Sequence, residues 1–277
     1  MLLILKKVIS CEIRNINQNK YKLSSGKISF CKSMRGYYFM KKIAHRGISA
    51  QAPENTRAAF EKMIEVGAKW LETDIDMTSD GELVLIHDDK VDRTSDSQGF
   101  INDMTLAELQ EIDFGQWFSN AYGDEKIVTL SWLIDFINKH HLNVNFELKT
   151  ELKGKRQTDY LTRVHQALSH VTTESKMIVS SFDVDLLAKF HQLMPQIEIG
   201  LLFEDKLPDN CVALANLVGA TYIHPDVTYL TQEQTKYLIK NNFGVNVWTV
   251  NERTTFDRLK RWGVTAIFSD FPTESPN

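Results

Sequence analysis

No stretch of this sequence approaches the roughly 20 consecutive apolar residues that a membrane-spanning helix requires, and Met1 to Leu5 is too short for the apolar region of a secretory signal. Stable membrane insertion is therefore not expected. Cysteine is scarce: Cys11, Cys31 and Cys211 are odd in number and fall in no metal-ligand spacing, so neither a disulfide framework nor a thiolate metal site is expected. Together these absences point to a reducing, cytoplasmic setting. No glycine-rich nucleotide motif occurs, which leaves nucleotide cofactors without support. With 43% apolar and 25% charged residues the chain is neither disordered nor collagen-like, and 277 residues suffice for one large domain.

The net charge of −4 hides an asymmetry. Residues 1–39 hold eight Lys/Arg against the single acid Glu12, a balance of +7, so the remainder carries 24 basic and 35 acidic residues, or −11. A basic arm can bind nucleic acid. This one lacks helical periodicity and caps, and regular patterning starts at Lys41-Lys42-Ile43-Ala44, just after Met40. Residues 1–39 are read as an extension outside the core, 40–277 as the functional domain, and no nucleic-acid partner is expected of an acidic core.

From Met40 onward, short strand patterns alternate with helical ones, the pattern of repeated βα units. Strands are expected at 42–46, 70–77, 143–148, 177–181, 198–203, 221–224, 245–250 and 266–269. Helical patterns lie near 54–66, 129–140, 156–170, 183–194, 208–218, 231–241 and 253–261, the first opened by Pro53 and closed by Gly67. Eight strands in about 230 residues fit a closed (β/α)₈ TIM barrel. No eighth outer helix is visible after Phe271. A further strand pattern, Leu83 to His87, follows the Asp80-Gly81 turn signal and predicts a β-hairpin. Pairing 77 with 82 would set 74 opposite 85 and His87 beside Glu72. Residues 89–128, rich in Gly, Asp, Asn and Ser, are expected to form an insertion capping the barrel mouth.

Chemistry gathers where strands alternate. In 70–77, Trp70, Glu72, Asp74 and Asp76 share one face, and in 143–149 Asn143, Asn145, Glu147 and Lys149 do. Either strand alone could simply turn its acids to water. Two in one βα series point them into the lumen, where like charges are costly without a cation. Glu72, Asp74 and Glu147 offer oxygen ligands suited to Mg²⁺ or Ca²⁺, with Asp76 as a fourth or outer group. His45 closes the first strand, at the end where barrel enzymes hold catalytic groups. With His87 beside the acids, two histidines could exchange protons at phosphorus. Arg46 offers a donor fork for phosphate and Lys149 a point charge, unless either is an ordinary ion-pair partner. Trp248 could pack a substrate backbone or fill the barrel. His224 ends another strand without a clear role, and Glu54 and Asn55 are expected to cap the first helix.

The ordered set Ala44-His45-Arg46-Gly47, Pro53-Glu54-Asn55-Thr56, Glu72-Thr73-Asp74-Ile75-Asp76, Asp80-Gly81, Val84 to Asp89, Asp92-Arg93-Thr94, Glu147-Leu148-Lys149, Trp248-Thr249-Val250-Asn251 and Ser269-Asp270-Phe271-Pro272 spans essentially 41–272. In this the sequence resembles the glycerophosphodiester phosphodiesterase family, and is most similar to its small cytoplasmic bacterial members. The resemblance implies a barrel with a small insertion after the second strand, cleaving glycerophosphodiesters such as glycerophosphocholine or glycerophosphoethanolamine to sn-glycerol 3-phosphate and an alcohol. It implies His45 and His87 as acid and base, and one divalent cation on Glu72, Asp74 and Glu147. It further implies phosphate contacts from Arg46 and Lys149 and a glycerol-side contact from Trp248.

Two other readings compete. A lysophospholipase D-type barrel acting on lysolipids would want an apolar rim, which Phe100, Phe114, Trp117, Phe118 and Tyr122 could supply. A barrel that only binds phosphate esters would need no acid–base pair.

Overall fold

The computed structural model describes residues 40–272, so the basic extension 1–39 lies outside the described residues. Eight parallel strands close on themselves: β1 (Lys41–His45), β2 (Trp70–Met77), β4 (Asn143–Leu148), β5 (Met177–Ser181), β6 (Glu198–Phe203), β7 (Tyr222–Pro225), β8 (Gly244–Val247) and β9 (Ala266–Ser269). Closure is made by β1, which pairs with β2 on one side and β9 on the other. The expected (β/α)₈ barrel is thus present. Helices α1 (Arg57–Glu65), α3 (Leu130–His140), α4 (Gly154–Leu168), α5 (Val184–Leu193), α6 (Cys211–Leu217), α7 (Gln232–Lys240) and α8 (Arg253–Trp262) connect successive strands, while α2 (Leu106–Glu111) belongs to the insertion. Among the described residues no helix follows β9.

Period-two alternation sorts the strand residues into two cores. Leu71, Ile75, Val144, Phe146, Val179, Ile199, Ile223, Val245 and Ile267 face the helices and join Phe60, Tyr160 and Phe190 in one large cluster. Each such side chain, when fully buried, contributes about 1.5–3 kcal/mol. Ile43, Trp70, Ile178, Ala266 and Phe268 form a second cluster inside the barrel, which is a filled interior rather than a pore.

The start of α1 differs from expectation. Its N-cap is Thr56, whose hydroxyl accepts from the Ala59 N–H, and neither Glu54 nor Asn55 caps it. The loop before it is tightly wound: Arg46 and Asn55 take left-handed φ of 57°, and Gly47 takes 87°. A Cβ at Gly47 would stand 2.8 Å from the Ala59 carbonyl carbon, so only glycine lets the loop seat on α1.

The hairpin also differs by one residue. Strand β3 (Leu83–Leu85) pairs Ile75 with Leu85 and Met77 with Leu83, giving a five-residue connection rather than the four that Asp80-Gly81 suggested. The Thr78 N–H reaches the Glu82 carbonyl and closes that longer loop. In this register residue 87 would fall opposite 73, on the apolar face. Because β3 stops at Leu85, His87 leaves the ladder and turns into the barrel mouth. The insertion that follows has its own core of Val84, Ile86, Val91, Ile101, Leu109, Phe114 and Ile127. No residue of 89–128 lines the central cavity, but Arg93 and Tyr122 of the insertion donate to Glu54 and to the Gln51 carbonyl on the loop after β1.

Beneath that cavity His224 is fully buried, and a Cβ at Gly200 would stand 2.3 Å from its ring. Gly200→Ala should therefore cost about 1–3 kcal/mol by overpacking, read by chemical denaturation; an unchanged midpoint would contradict the close approach. Burial lowers the His224 pKa from 6.5 to about 3, so the native state refuses a proton that the unfolded chain accepts. Its contribution to stability is intact above pH 6.5 and is lost as pH falls towards 3, by about 1.4 kcal/mol per pH unit. His224→Gln should flatten the stability profile between those limits by that amount.

Candidate active site

The parallel register sets Asp74 beside Glu147 and Glu72 beside Asn145, on the lumen face near the C-terminal ends of β2 and β4. One carboxylate oxygen from each of Glu72, Asp74 and Glu147 lies within 4.8 Å of the others, and all three residues are buried. Buried like charges in contact cannot all stay ionised without compensation. Burial and the charges of Asp74 and Glu147 push Glu72 well above the carboxylate range. Burial and Asp74 push Glu147 up to about 7. Burial works against ionised Asp74 too, but Arg46, His87, Lys149 and a hydrogen bond from Asn55 outweigh it and hold its pKa low. Asp74 Oδ1 is nonetheless buried without a hydrogen-bond partner. An unpartnered buried carboxylate oxygen in an all-oxygen donor set fits a hard divalent cation.

Asp76 does not join this cluster. It sits at the hairpin, accepting from the Met77 N–H at 2.8 Å and from Asn102 Nδ2 at 3.3 Å, and burial raises its pKa to about 6. The idea of Asp76 as a fourth ligand is set aside.

Two histidines flank the acids. His45 Nδ1 lies 2.7 Å from Asp270 Oδ1, and Asp270 is itself held by Ser49 Oγ at 2.9 Å and Asn251 Nδ2 at 2.6 Å. His87 Nδ1 lies 2.6 Å from Asp88 Oδ1. Hydrogen bonds from their neighbours hold both aspartates below the usual range, burial notwithstanding in the case of Asp270. An ionised carboxylate only accepts, so each Nδ1 carries a proton and any proton exchange by either ring falls to its Nε2. Lys149 Nζ donates to His87 Nε2 at 3.1 Å and pairs with Glu147 Oε1 at 2.9 Å. Burial, together with Arg46 and Lys149, lowers the His87 pKa despite the nearby Asp74 charge, so His87 is neutral at pH 7.

Arg46 extends from the β1 end into the acids. Its backbone N–H donates to Glu72 Oε2 at 3.1 Å, its Nη1 donates to Glu54 Oε1 at 2.8 Å, and its Nε stands 3.5 Å from Asp74 Oδ2. Asn55, rather than capping a helix, donates to Asp74 and accepts from Thr73. A small cavity opens here. His45, Arg46, Glu72, His87 and Glu147 line one wall; Phe182, Leu202, His224, Trp248 and Phe268 line the other. Trp248 lies edge-on to Phe182 and donates through Nε1 to the His224 carbonyl at 2.9 Å.

Thus all eight sequence-derived site residues come together. The partners Asp270, Asp88 and Phe182 did not emerge as site residues from the sequence. Asp270 had a usable signal: in a closed barrel the last strand pairs with the first, and Ala44 opposite Ser269 makes His45 and Asp270 neighbours.

Comparison with known proteins places the chain in a family. A model of the glycerophosphoryl diester phosphodiesterase family matches residues 45–274. The glycerophosphodiester phosphodiesterase of Caldanaerobacter subterraneus subsp. tengcongensis is 34% identical over 230 residues, covering 83% of this chain and 93% of that protein. Its counterpart from Bacillus subtilis (strain 168) is 32% identical over 244 residues, covering 83% of each. Among solved structures, an Oleispira antarctica phosphodiesterase in complex with the product sn-glycerol-3-phosphate superposes with a TM-score of 0.81 at 30% identity, covering 85% of this chain and 94% of that one. A Thermotoga maritima glycerophosphodiester phosphodiesterase shares the fold, with a TM-score of 0.69 at 24% identity over 86% and 97% of the two chains.

Charge crowding makes opposite demands on stability and on ion binding. At pH 8 in EDTA, Glu72→Gln should melt above the wild type, because one buried acid has gone. In millimolar Mg²⁺ or Ca²⁺ the wild type should gain stability, by about 2.7 kcal/mol at a hundredfold excess over Kd, and the variant should gain far less. Equal cation-induced shifts in the two proteins would remove Glu72 from the ligand set.

Proposed function

The chain belongs to the glycerophosphoryl diester phosphodiesterase family, and from that premise we propose that it hydrolyses small glycerophosphodiesters, such as glycerophosphocholine or glycerophosphoethanolamine, to sn-glycerol 3-phosphate and an alcohol. The observation that carries this reading is the convergence of two Nδ1-anchored histidines on a buried three-carboxylate cluster inside one small cavity.

Glu72, Asp74 and Glu147 would hold one divalent cation, Mg²⁺ or Ca²⁺, which when bound neutralises charge on the non-bridging phosphate oxygens. Arg46 and Lys149 add positive charge at the same wall and orient the phosphate. His87 begins neutral with an accepting Nε2, which favours it as the base that deprotonates the attacking oxygen. His45, entering as the doubly protonated ring with its Nδ1–H held by Asp270, gives its Nε2 proton to the leaving alkoxide. Trp248 and Phe182 form the apolar wall against which the glycerol carbons pack. The catalytic unit is the segment 40–277, supported by the family match and by a barrel complete within the described residues.

The small-diester reading is preferred to the lysolipid one because none of the insertion's aromatics lines the cavity: Phe114 is buried in the insertion's own core, Trp117, Phe118 and Tyr122 pack in a row, and Phe100 and Trp117 are exposed outside it. Among the described residues no helix is long and apolar enough to cross a membrane.

The test is release of glycerol 3-phosphate from glycerophosphocholine and glycerophosphoethanolamine, in EDTA and after Mg²⁺ or Ca²⁺ is restored. Release is expected only with the cation. His45→Ala and His87→Ala should each lower turnover on the order of 10²–10⁴-fold while leaving the melting temperature close to wild type. Undiminished release in EDTA, or near-normal turnover in both variants, overturns the mechanism.

A further inference from the structure

Arg93 stands in the insertion, outside the cavity, yet its guanidinium makes two bidentate carboxylate pairs at once. Nε and Nη2 donate to Asp88 Oδ2 and Oδ1 at 2.7 and 2.9 Å, and Nη1 and Nη2 donate to Glu54 Oε2 and Oε1 at 2.8 and 2.7 Å. Each carboxylate is already committed to a residue of the cavity wall. Glu54 Oε1 also accepts from Arg46, and Asp88 Oδ1 also holds His87 Nδ1. The result is a continuous circuit of polar contacts: Asp74, Arg46, Glu54, Arg93, Asp88, His87, Lys149 and Glu147, closed by the adjacency of Asp74 and Glu147 across the β2–β4 ladder.

We propose that Arg93 is a positioning residue: one guanidinium that locks the phosphate-facing Arg46 and the proton-transferring His87 into a single arrangement. The inference rests on the proposed function for the roles of those two groups. The sequence distance argues for a purpose beyond local structure. Arg46 and Glu54 lie on the loop after β1, whereas His87, Asp88 and Arg93 follow the hairpin, and 39 positions separate Glu54 from Arg93. Left to themselves, these two loops would set the two groups independently. A planar fork that grips both carboxylates bidentately fixes their separation and their tilt together, and a lysine ammonium cannot do so. Catalytic groups misplaced by even an ångström lose a large part of their effect on the transition state while ground-state binding changes less. The consequence belongs in kcat more than in KM.

Arg93→Ala and Arg93→Lys are compared with the wild type on glycerophosphocholine with the cation present, after melting curves have confirmed that each is folded. Both should lose kcat by roughly 10- to 100-fold with KM changed several-fold at most, since removal of an orienting partner behind an active group typically has that effect. Arg93 is 44% exposed, so a small solute can reach its place, and millimolar guanidinium should restore part of the kcat of Arg93→Ala while leaving the wild type unchanged. Combining Arg93→Ala with Asp88→Asn should cost little more than the larger single loss, because both act on one unit. Wild-type kcat in the folded variants, or a loss confined to KM, overturns the inference. If Arg93→Ala does not fold, Arg93→Lys decides alone by the same two criteria. Absence of turnover in the wild type would instead overturn the proposed function itself, so the two failures are distinct.

Discussion

Everything around the mouth of this barrel answers to three carboxylates held closer together than their charges allow. Glu72, Asp74 and Glu147 are placed by the β2–β4 register, which the hydrophobic face of both strands makes hard to shift. Arg46 and Lys149 offset part of the charge, but each is shared: Arg46 with Glu54, Lys149 with His87. The upward push on Glu72 and Glu147 is what remains after that sharing. A divalent cation on the unpartnered side of Asp74 would supply the missing charge, and so the electrostatic deficit and the proposed chemistry have one origin.

The loops follow from the same constraint. To bring a cation from the end of β1 onto the end of β2, the chain must reverse within two residues, and the left-handed Arg46 and Gly47 do so. The turn is then tied down by Asn55, also left-handed, which bridges Thr73 and Asp74. Backbone conformations that are costly in isolation persist because the surrounding hydrogen bonds over-determine them. Buried polar groups here are held by partners from other elements, and the same partners hold the catalytic geometry.

Much of this was legible in the sequence because it is periodic. Alternation in 70–77 and 143–149 put the acids on one face, and the βα repeat put that face inside a barrel. Strand ends came out to the residue for β2, β4, β5, β6 and β9 and one residue off for β1 and β7. What failed was not periodic. The hairpin register turned on whether Glu82 belonged to the turn or the strand, a choice made by one Thr78–Glu82 backbone hydrogen bond that carries no pattern. Glu54 and Asn55 look like cap residues by type, but Thr56 wins because the preceding loop spends those two side chains on Arg46, Arg93 and Asp74. The aromatic residues of the insertion offered an apolar rim by composition alone, whereas Phe114 is buried in the insertion's own core and Trp117 packs on Phe118. Asp88 sat beside His87 in plain view, but nothing local says that a neighbouring acid turns back onto the ring.

The two histidines are anchored by the same chemistry and by opposite topology. His87 takes its carboxylate from the next residue, so its tautomer is set locally, but that carboxylate is steadied by an arginine that also reaches the first loop. His45 takes its carboxylate from 225 residues away, across the seam where the last strand meets the first. A chain with seven strands in place could hold the acids and His87, yet it would leave the His45 ring free to rotate and without a defined tautomer. The proton transfers proposed for the two histidines would therefore require barrel closure, the step that brings the most distant parts of the chain together. In such a molecule turnover reports the global fold, and a substitution at the β1–β9 seam acts on chemistry without touching a substrate.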